Sequence, residues 1–272
     1  MKNNLAIIDG HNFLFRAFAV PFKFYSLKGV PLHVTTTFLS SVRRAVKIID
    51  SVGGCSHIVV VFDPEGENSN HTLLESYKAN RITDYSQMED NPFSHLPYIK
   101  KSLRSLRIKF YEKRGVEADD AVASLATKFL KDNEKARVFI FSSDSDFYQL
   151  ISKKISQVIL RQKGEYDLIT PKEVKNKTGV GVKYYVFWKC LVGDKCDNIP
   201  GVPGIGPKRA AQIINRKMKF DIKPYQVVLK LNERLITLNS GLNIIKNTKT
   251  LAVSDKILAL KNNDIFAKLG YV

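Results

Sequence analysis

Three short, largely apolar runs stand out along the chain, and each is followed closely by an acidic residue. The runs cover residues 5–8, 57–62 and 138–141, the second of them opened by a histidine. Runs of this length that are apolar throughout are typical of strands buried on both faces of a parallel sheet. The acids that follow them are Asp9, Asp63 and, after two serines, Asp144 and Asp146.

The stretches between these runs predict helices. Residues 35–50 carry apolar side chains at helical spacing, which indicates a long amphipathic helix. Strands separated by helices favour an α/β fold with a mostly parallel sheet covered on both faces. Because ligand sites in such sheets lie outside the carboxyl ends of the strands, we expect Asp9, Asp63 and Asp144 to converge at one edge. A single acid at a strand end is usually a turn former or a helix cap, but three are harder to explain in that way.

A further acidic group begins a predicted helix in the middle of the chain. Glu117, Asp119 and Asp120 come directly before apolar residues at helical spacing, among them Val122 and Phe129. Glu117 and Asp120 are three residues apart, so they can share a helix face. The alternative is structural, because carboxylates in a first helical turn interact favourably with the positive end of the helix dipole.

The segment from about residue 65 to 97 lacks periodicity. It is polar and long for a connection, and such loops in compact domains are usually functional or mobile. It carries a small basic group that includes Lys78 and Arg81. A solvated loop without a role is the competing interpretation.

The pattern after residue 146 predicts several further elements. The aromatic side chains of one of them, including Trp188, are interpreted as core rather than as a platform for stacking bases. The last fifty residues are predicted to be helical and basic. The remaining elements are a helix opening at residues 147–150, a strand at 158–160, a helix starting at residue 170 and an aromatic-rich helix at 184–191.

A glycine-rich stretch follows that helix. It begins with Asp194 and Asp197, continues through several glycines, and reaches Pro207, which suits the first position of a new helix. Glycines allow close approach of the backbone to a phosphate, and the N–H groups at a helix start bind anions. Lys208 and Arg209 add positive charge there. The stretch therefore predicts a helix–hairpin–helix that grips a nucleic-acid backbone without reading its sequence.

The composition points to a polyanionic partner. The chain has 272 residues and a formal net charge of +17, with 43 Lys and Arg against 26 Asp and Glu. Such an excess favours nucleic acid, although some basic proteins bind only ribosomes or membrane surfaces. No apolar run is long enough to span a membrane, and the N-terminus has no signal-peptide pattern. The 3 cysteines have no metal-ligand spacing, and their small, odd number indicates a reducing, cytoplasmic location.

Two classes of function compete on these observations. In one, the acids bind divalent metal and the protein is a nuclease; in the other, it is a non-catalytic, structure-specific DNA-binding protein whose acids are caps and ion-pair partners. A protein that only binds phosphates gains nothing from many converging carboxylates, which repel one another and the DNA. Hard oxygen ligands suit Mg²⁺ or Mn²⁺, and two such ions activate water and stabilise the leaving oxygen of a phosphodiester. The metal hypothesis is favoured, and its acids are Asp9, Asp63, Glu117, Asp119, Asp120, Asp144, Asp146, Asp194 and Asp197.

The ordered motifs resemble the flap endonuclease or 5′ nuclease family, which includes the N-terminal nuclease domain of bacterial DNA polymerase I and its free-standing bacterial and phage relatives. They run from residue 5 to about residue 216 in the order of that family, with compatible spacing. The matching motifs are Ile8-Asp9-Gly10 with residues 15–18, Phe62-Asp63, residues 77–81, residues 115–120, residues 143–146, and residues 193–209.

The resemblance implies a PIN-like fold: a mostly parallel sheet flanked by helices, a helical arch at about residues 65–97, and a C-terminal helix–hairpin–helix (helix–three-turn–helix) DNA-binding subdomain. It implies a nuclease core over residues 1–180 and the helical subdomain over residues 181–272. The implied activity is metal-dependent hydrolysis near junctions of single strand and duplex, as a flap endonuclease and 5′–3′ exonuclease in DNA replication and repair. The implied partner is branched or nicked DNA with a 5′ flap or 5′ end, bound by a monomer in the cytoplasm near the nucleoid.

The resemblance also implies roles for individual residues. Lys78 and Arg81 match catalytic basic residues of the arch, which face the scissile phosphate. The family commonly has an arginine eight residues before the arch lysine, and this chain has Asn70 there. In the family that the chain resembles, a potassium ion often binds at the hairpin. The first metal is matched by Asp9, Asp63, Glu117 and Asp119, the second by Asp144, Asp146, Asp194 and Asp197 with Asp120 nearby, and DNA by Arg16, Tyr77, Gly201, Val202, Gly204, Ile205, Gly206, Lys208 and Arg209.

Overall fold

A six-stranded sheet forms the centre of the computed structural model, which describes residues 3–26, 28–64, 91–253 and 261–271. Its strands are β1 (Asn4–Asp9), β2 (Cys55–Val61), β3 (Lys109–Tyr111), β4 (Val138–Phe141), β5 (Ile155–Leu160) and β6 (Tyr166–Ile169). They lie in the order β3-β2-β1-β4-β5-β6. Neighbouring strands are parallel except β5 and β6, which are antiparallel.

Helices cover both faces of this sheet, and further helices follow β6. The first four are α1 (Gly10–Phe18), α2 (His33–Ser51), α3 (Leu96–Ser105) and α4 (Ala118–Asp132). Those that follow β6 are α5 (Pro171–Thr178), α6 (Tyr185–Val192), α7 (Pro207–Ile214), α8 (Gln226–Ile236) and α9 (Asn262–Lys268).

The alternation of side chains along β1 divides the interior into two cores. Ala6 and Ile8 pack on one face together with residues of α1, α2 and α3, whereas Leu5 and Ile7 pack on the other with α4. All four β1 side chains are fully buried. Burial of each large aliphatic side chain is worth about 1.5–3 kcal/mol, so β1 is a rigid base for the residues at its carboxyl end.

A third core lies between α6, α7 and α8, around Leu191, Ile205 and Leu235. The chain then returns to the sheet, since Leu251 lies in the core beneath α4 and Phe266 lies in the core beneath α2. The predicted boundary between residues 180 and 181 stays a prediction.

The predicted mostly parallel sheet flanked by helices is confirmed, and the three apolar runs lie in β1, β2 and β4. Two edge strands were not predicted: β3 has only 3 residues, and β6 is antiparallel. The chain at residues 147–150 forms part of a 3-10 helix, Ser145–Leu150. No helix of the described ranges is long and apolar enough to cross a membrane.

The prediction that the last fifty residues are helical is wrong for residues 237–247, which contain no helix. Several of their backbone groups bond to other elements. The N–H of Leu238 donates to Gln149 Oε1 at 3.0 Å, and the N–H of Leu242 donates to the Ser124 hydroxyl of α4 at 3.1 Å. This segment therefore ties the end of α8 by hydrogen bonds to the 3-10 helix after β4 and to α4.

Candidate active site

Acidic residues meet at the carboxyl edge of the sheet because parallel strands deliver them there. Asp9 ends β1 and pairs in register with Val61, the last residue of β2. The adjacent strand β4 ends at Phe141. Asp63 and Asp144 follow β2 and β4 shortly beyond these ends, so both emerge beside Asp9.

Asp9 lies at the centre of this edge and is held by two hydrogen bonds. Its carboxylate accepts from the N–H of Asn12 at 3.0 Å and from the hydroxyl of Ser142 at 2.7 Å. Desolvation, together with the negative charges of Asp63 and Asp144, nevertheless raises the pKa of Asp9 to about 6 against those bonds. The edge thus concentrates more negative charge than its hydrogen bonds balance, which is a setting that a bound cation relieves.

Asp63 connects β2 to the beginning of α4. Its Oδ1 accepts from the N–H of Ala118 at 2.8 Å, and its own N–H donates to His11 Nδ1 at 3.0 Å. Burial lowers the pKa of His11, so the ring is a neutral acceptor near pH 7. Glu117 occupies the N-cap position of α4 and is buried, and Asp119 follows in the first turn. The acidic group of α4 therefore lies against the end of β2.

Asp120 makes a structural contact from the same turn. Its Oδ1 accepts from the N–H of Asn239 at 2.8 Å. The hydroxyl of Ser124, one turn further along α4, donates to the carbonyl of Asn239 at 2.8 Å. Asp120 thus helps to fix the segment that follows α8, in addition to any role near the metal.

A second acidic cluster lies where α6 meets the 3-10 helix after β4. Asp146, Asp194 and Asp197 each offer a carboxylate oxygen, and these oxygens lie within 4.8 Å of one another. Within the described ranges this is the one group of three such ligands at that spacing. The ammonium of Lys189 contacts Asp146 and lies 2.7 Å from Asp194 Oδ2. Burial alone would raise the pKa of Asp194, but Lys189, together with the backbone N–H groups of Cys196 and Asp197, keeps that pKa below its ordinary value.

The chemistry of these donors fits divalent metal. The second cluster consists of carboxylates at a spacing that one ion can bridge, and hard cations such as Mg²⁺ prefer oxygen ligands. The four acids predicted for the first ion share one edge of the sheet, but no three of their ligand atoms lie within the same 4.8 Å limit in the described structure. Those acids are Asp9, Asp63, Glu117 and Asp119.

The predicted hairpin joins α6 to α7 through residues 193–206. Gly193 has a φ of +79°, and a Cβ at Gly201 would lie 2.2 Å from the carbonyl oxygen of Val192. Both positions therefore require glycine. The side chains of Val202 and Ile205 are buried in the third core, so only their backbone is available for contact with a partner.

Exposed cations follow the hairpin. Gly206 is the N-cap of α7, and Lys208 and Arg209 lie exposed in the first turn. Arg209 Nη1 donates to the carbonyl of Gly204 at 2.8 Å, which closes the turn. Arg16 lies elsewhere, at the carboxyl edge of the sheet, where its guanidinium donates to the carbonyl of the last β5 residue at 2.6 Å. The predicted residues Asn70, Tyr77, Lys78 and Arg81 lie outside the described residues.

Several polar residues of the site were not predicted from the sequence. Gln157 of β5 is fully buried and donates to the carbonyls of Ser142 and Asp144 at 2.8 and 2.7 Å, which fixes the turn after β4. Lys189 is only 4% exposed although it is a lysine. A polar residue within an otherwise apolar strand or an aromatic helix is the available signal for both, with Ser156 beside Gln157. His11 and Ser142 carry no such signal, because each stands beside other polar residues in the sequence.

Comparison with known proteins places the chain in a family. Residues 4–179 match the model for the 5′-3′ exonuclease, N-terminal resolvase-like domain. A thermostable DNA polymerase I of Thermus filiformis is 32% identical over 269 residues, which cover 95% of this chain and 30% of that protein. A 5′-3′ exonuclease of Buchnera aphidicola is 30% identical over 215 residues, which cover 79% of this chain and 71% of that protein. The chain thus spans about 30% of the polymerase relative.

The fold has a close counterpart among solved structures. A bacteriophage T5 flap endonuclease, solved in a pseudo-enzyme–product complex with DNA and metal ions, superposes with a TM-score of 0.67 and 21% identity. The match covers 97% of this chain and 98% of that chain. The predicted PIN-like, mostly parallel sheet flanked by helices and the predicted family are both confirmed, whereas the helical arch and the DNA-binding hairpin stay predictions. The chain belongs to the 5′-3′ exonuclease family, with its residues 4–179 forming the N-terminal, resolvase-like domain.

Proposed function

We propose that the chain hydrolyses DNA phosphodiesters near junctions between a single-stranded 5′ end and duplex, as a flap endonuclease and 5′–3′ exonuclease in DNA replication and repair. One observation carries the proposal: acids from three parallel strand ends and from the α6–α7 hairpin lie at one edge of the sheet. Family membership supports the same activity.

The proposed cofactors are two Mg²⁺ or Mn²⁺ ions. Asp9, Asp63, Glu117 and Asp119 would hold one ion, and Asp144, Asp146, Asp194 and Asp197 would hold the other, with Asp120 nearby. When bound, such ions activate water and stabilise the leaving oxygen of the phosphodiester. The raised pKa of Asp9 and the close spacing of the second cluster support a cationic occupant.

The protein contributes orientation around these acids. Ser142 and the N–H of Asn12 hold the two oxygens of Asp9, so that its carboxylate is oriented before substrate arrives. The N–H of Ala118 holds Asp63 in the same way. Lys78 and Arg81 are proposed to stabilise the negative charge that develops on the scissile phosphate, because positioned cations are worth most where charge appears during reaction.

The duplex is proposed to lie against the hairpin. Exposed Lys208 and Arg209, the helix start at Gly206, and the backbone from Gly201 to Ile205 would contact phosphates, with a potassium ion bound at the turn. Arg16 and Tyr77 would contact the strand nearer the acids. The net charge of +17 supports a polyanionic partner. The enzyme is further proposed to be a monomer that lies in the cytoplasm and associates with the nucleoid.

A cleavage assay tests this function. Labelled 5′-flap DNA is incubated with the protein in Mg²⁺ or in EDTA, with blunt duplex and single strand as matched substrates. We expect Mg²⁺-dependent cleavage near the junction of the flap substrate. Tight binding of flap DNA without cleavage in Mg²⁺ or Mn²⁺ would instead identify a non-catalytic, structure-specific DNA-binding protein.

A further inference from the structure

Lys189 is a buried cation inside the second acidic cluster. It lies on α6 with only 4% of its surface exposed. Lysines are almost never buried at this level unless they are paired, because removal of a charge from water is costly. Its ammonium contacts Asp146 and lies 2.7 Å from Asp194 Oδ2. Both partners are themselves half-buried, so the attraction is little screened by solvent.

The contacts of Lys189 are made to the same carboxylates that the proposed metal requires. Asp146 and Asp194 supply two of the three carboxylates whose oxygens lie within 4.8 Å, and Asp197 supplies the third. The ammonium is held by ion pairs to two of these three acids, Asp146 and Asp194. A divalent ion that binds the same acids therefore has to displace it.

We propose that Lys189 is a built-in counter-cation that competes with the divalent ion for the carboxylates of Asp146, Asp194 and Asp197. This inference rests on the proposed function, because it takes the cluster as a metal site. Two cations within a few ångströms repel strongly in a buried site, so entry of the ion moves the ammonium away from the shared carboxylates. Lys189 therefore weakens metal binding, and it holds the three acids together whenever the ion is released.

The test uses the only tryptophan of the chain, which is adjacent to Lys189. Trp188 is half-buried, stacks on Tyr185 at 5.8 Å between ring centroids, and donates to the carbonyl of Pro207 at 3.2 Å. Paramagnetic quenching of its fluorescence by Mn²⁺ therefore reports ion binding at this cluster. A Mn²⁺ titration of Asp194→Asn identifies the part of the quenching curve that belongs to this cluster. That part must move to higher Mn²⁺ concentration when a ligand is lost.

The variants are Lys189→Gln, which keeps a polar head without charge, and Lys189→Met, which suits an apolar helix. Both should bind Mn²⁺ at least about fivefold more tightly than wild type. Fivefold is the lower end of the range by which one bound group usually changes the affinity of a protein for another. The melting temperature of both in EDTA should fall, and Mn²⁺ should raise it by more than it raises that of wild type. Lys128→Met, which removes an ion pair with Asp132 on α4, should leave the Mn²⁺ affinity unchanged.

Unchanged or weaker Mn²⁺ binding in the two neutral Lys189 variants would overturn the inference while leaving the metal site intact. An absence of saturable quenching in wild type would overturn both the inference and the proposed ligand set. Because quenching and melting need no substrate, these outcomes remain separate from any failure of the cleavage assay.

Discussion

Replacement of Asp9 by Asn tests whether the acidic edge is destabilising for the fold in the absence of metal. Asp9 is the N-cap of α1, and Asn caps a helix equally well, so the hydrogen bond from the N–H of Asn12 survives. The hydroxyl of Ser142 can rotate to accept from the new amide. The substitution therefore removes one negative charge beside Asp63 and Asp144 with little change of shape.

The expected magnitude follows from the raised pKa of Asp9, which moves from 3.8 to about 6. At about 1.4 kcal/mol for each pH unit, ionisation of Asp9 costs the folded state about 3 kcal/mol, as an upper bound. Below pH 3.8 the carboxyl is neutral in both states and this cost is absent. It grows as the pH rises toward 6 and is constant above. In EDTA, Asp9→Asn should therefore be more stable than wild type at pH 7, with a smaller difference near pH 4.

Urea denaturation in EDTA from pH 4 to 8 measures this difference. Asp132→Asn is the control of opposite sign, because its hydrogen bond from Lys128 lowers the pKa of Asp132 and contributes stability at higher pH. Because Asp132 already ionises below its ordinary pKa of 3.8 in the folded protein, that variant should be less stable than wild type by a nearly constant amount from pH 4 to 8. The reasoning is refuted if the difference between Asp9→Asn and wild type does not grow between pH 4 and pH 6, or if the variant is less stable at pH 7.

Three other predictions concern the hairpin and the arch. Gly201→Ala should destabilise the protein by about 1–3 kcal/mol, since its methyl group would lie 2.2 Å from a backbone carbonyl oxygen. Gly206→Ala has nothing within 4 Å, so it should lower the melting temperature less, by the loss of a glycine N-cap worth about 1 kcal/mol at most. Removal of charge at Lys208 and Arg209 should weaken DNA binding similarly for different duplex sequences and reduce the salt dependence of that binding, as measured by fluorescence anisotropy. A loss of affinity confined to particular duplex sequences would mean that the hairpin reads bases. Lys78→Ala should slow single-turnover cleavage of a 5′-flap substrate at least about tenfold, and an unchanged rate would favour a solvated loop without a role.

The placement of the acids at the strand ends was predictable because it depends only on topology. An apolar run predicts a buried strand, and parallel strands expose their carboxyl ends at one edge, so Asp9, Asp63 and Asp144 had to emerge there. Short edge strands were not predictable in this way. Residues 109–111 pair with β2 only because the neighbouring strand offers free backbone groups, and their own side chains are no more than half-buried.

The second cluster depends on tertiary packing that no local pattern contains. Asp146 and Asp194 meet because α6 packs against the 3-10 helix after β4, and their spacing in the sequence does not indicate this. The burial of Lys189 was not predictable for a related reason: a lysine in an aromatic helix ordinarily points to solvent, whereas here two half-buried acids offset the cost of its desolvation. The resemblance to the family predicted which acids belong together, whereas the position of Lys189 among them became clear only from the structure.

The most direct test of the central claim replaces one acidic residue of the second cluster and measures DNA cleavage and DNA binding separately. Asp197 is 3% exposed and lies in the α6–α7 connection, apart from exposed Lys208 and Arg209. Asp197→Asn should abolish single-turnover cleavage of 5′-flap DNA in saturating Mg²⁺, while its affinity for the same DNA, measured in Ca²⁺ by fluorescence anisotropy, stays within about threefold of wild type, equivalent to less than about 1 kcal/mol. Cleavage at a rate near that of wild type would contradict the claim that these converging acids hold the catalytic metal.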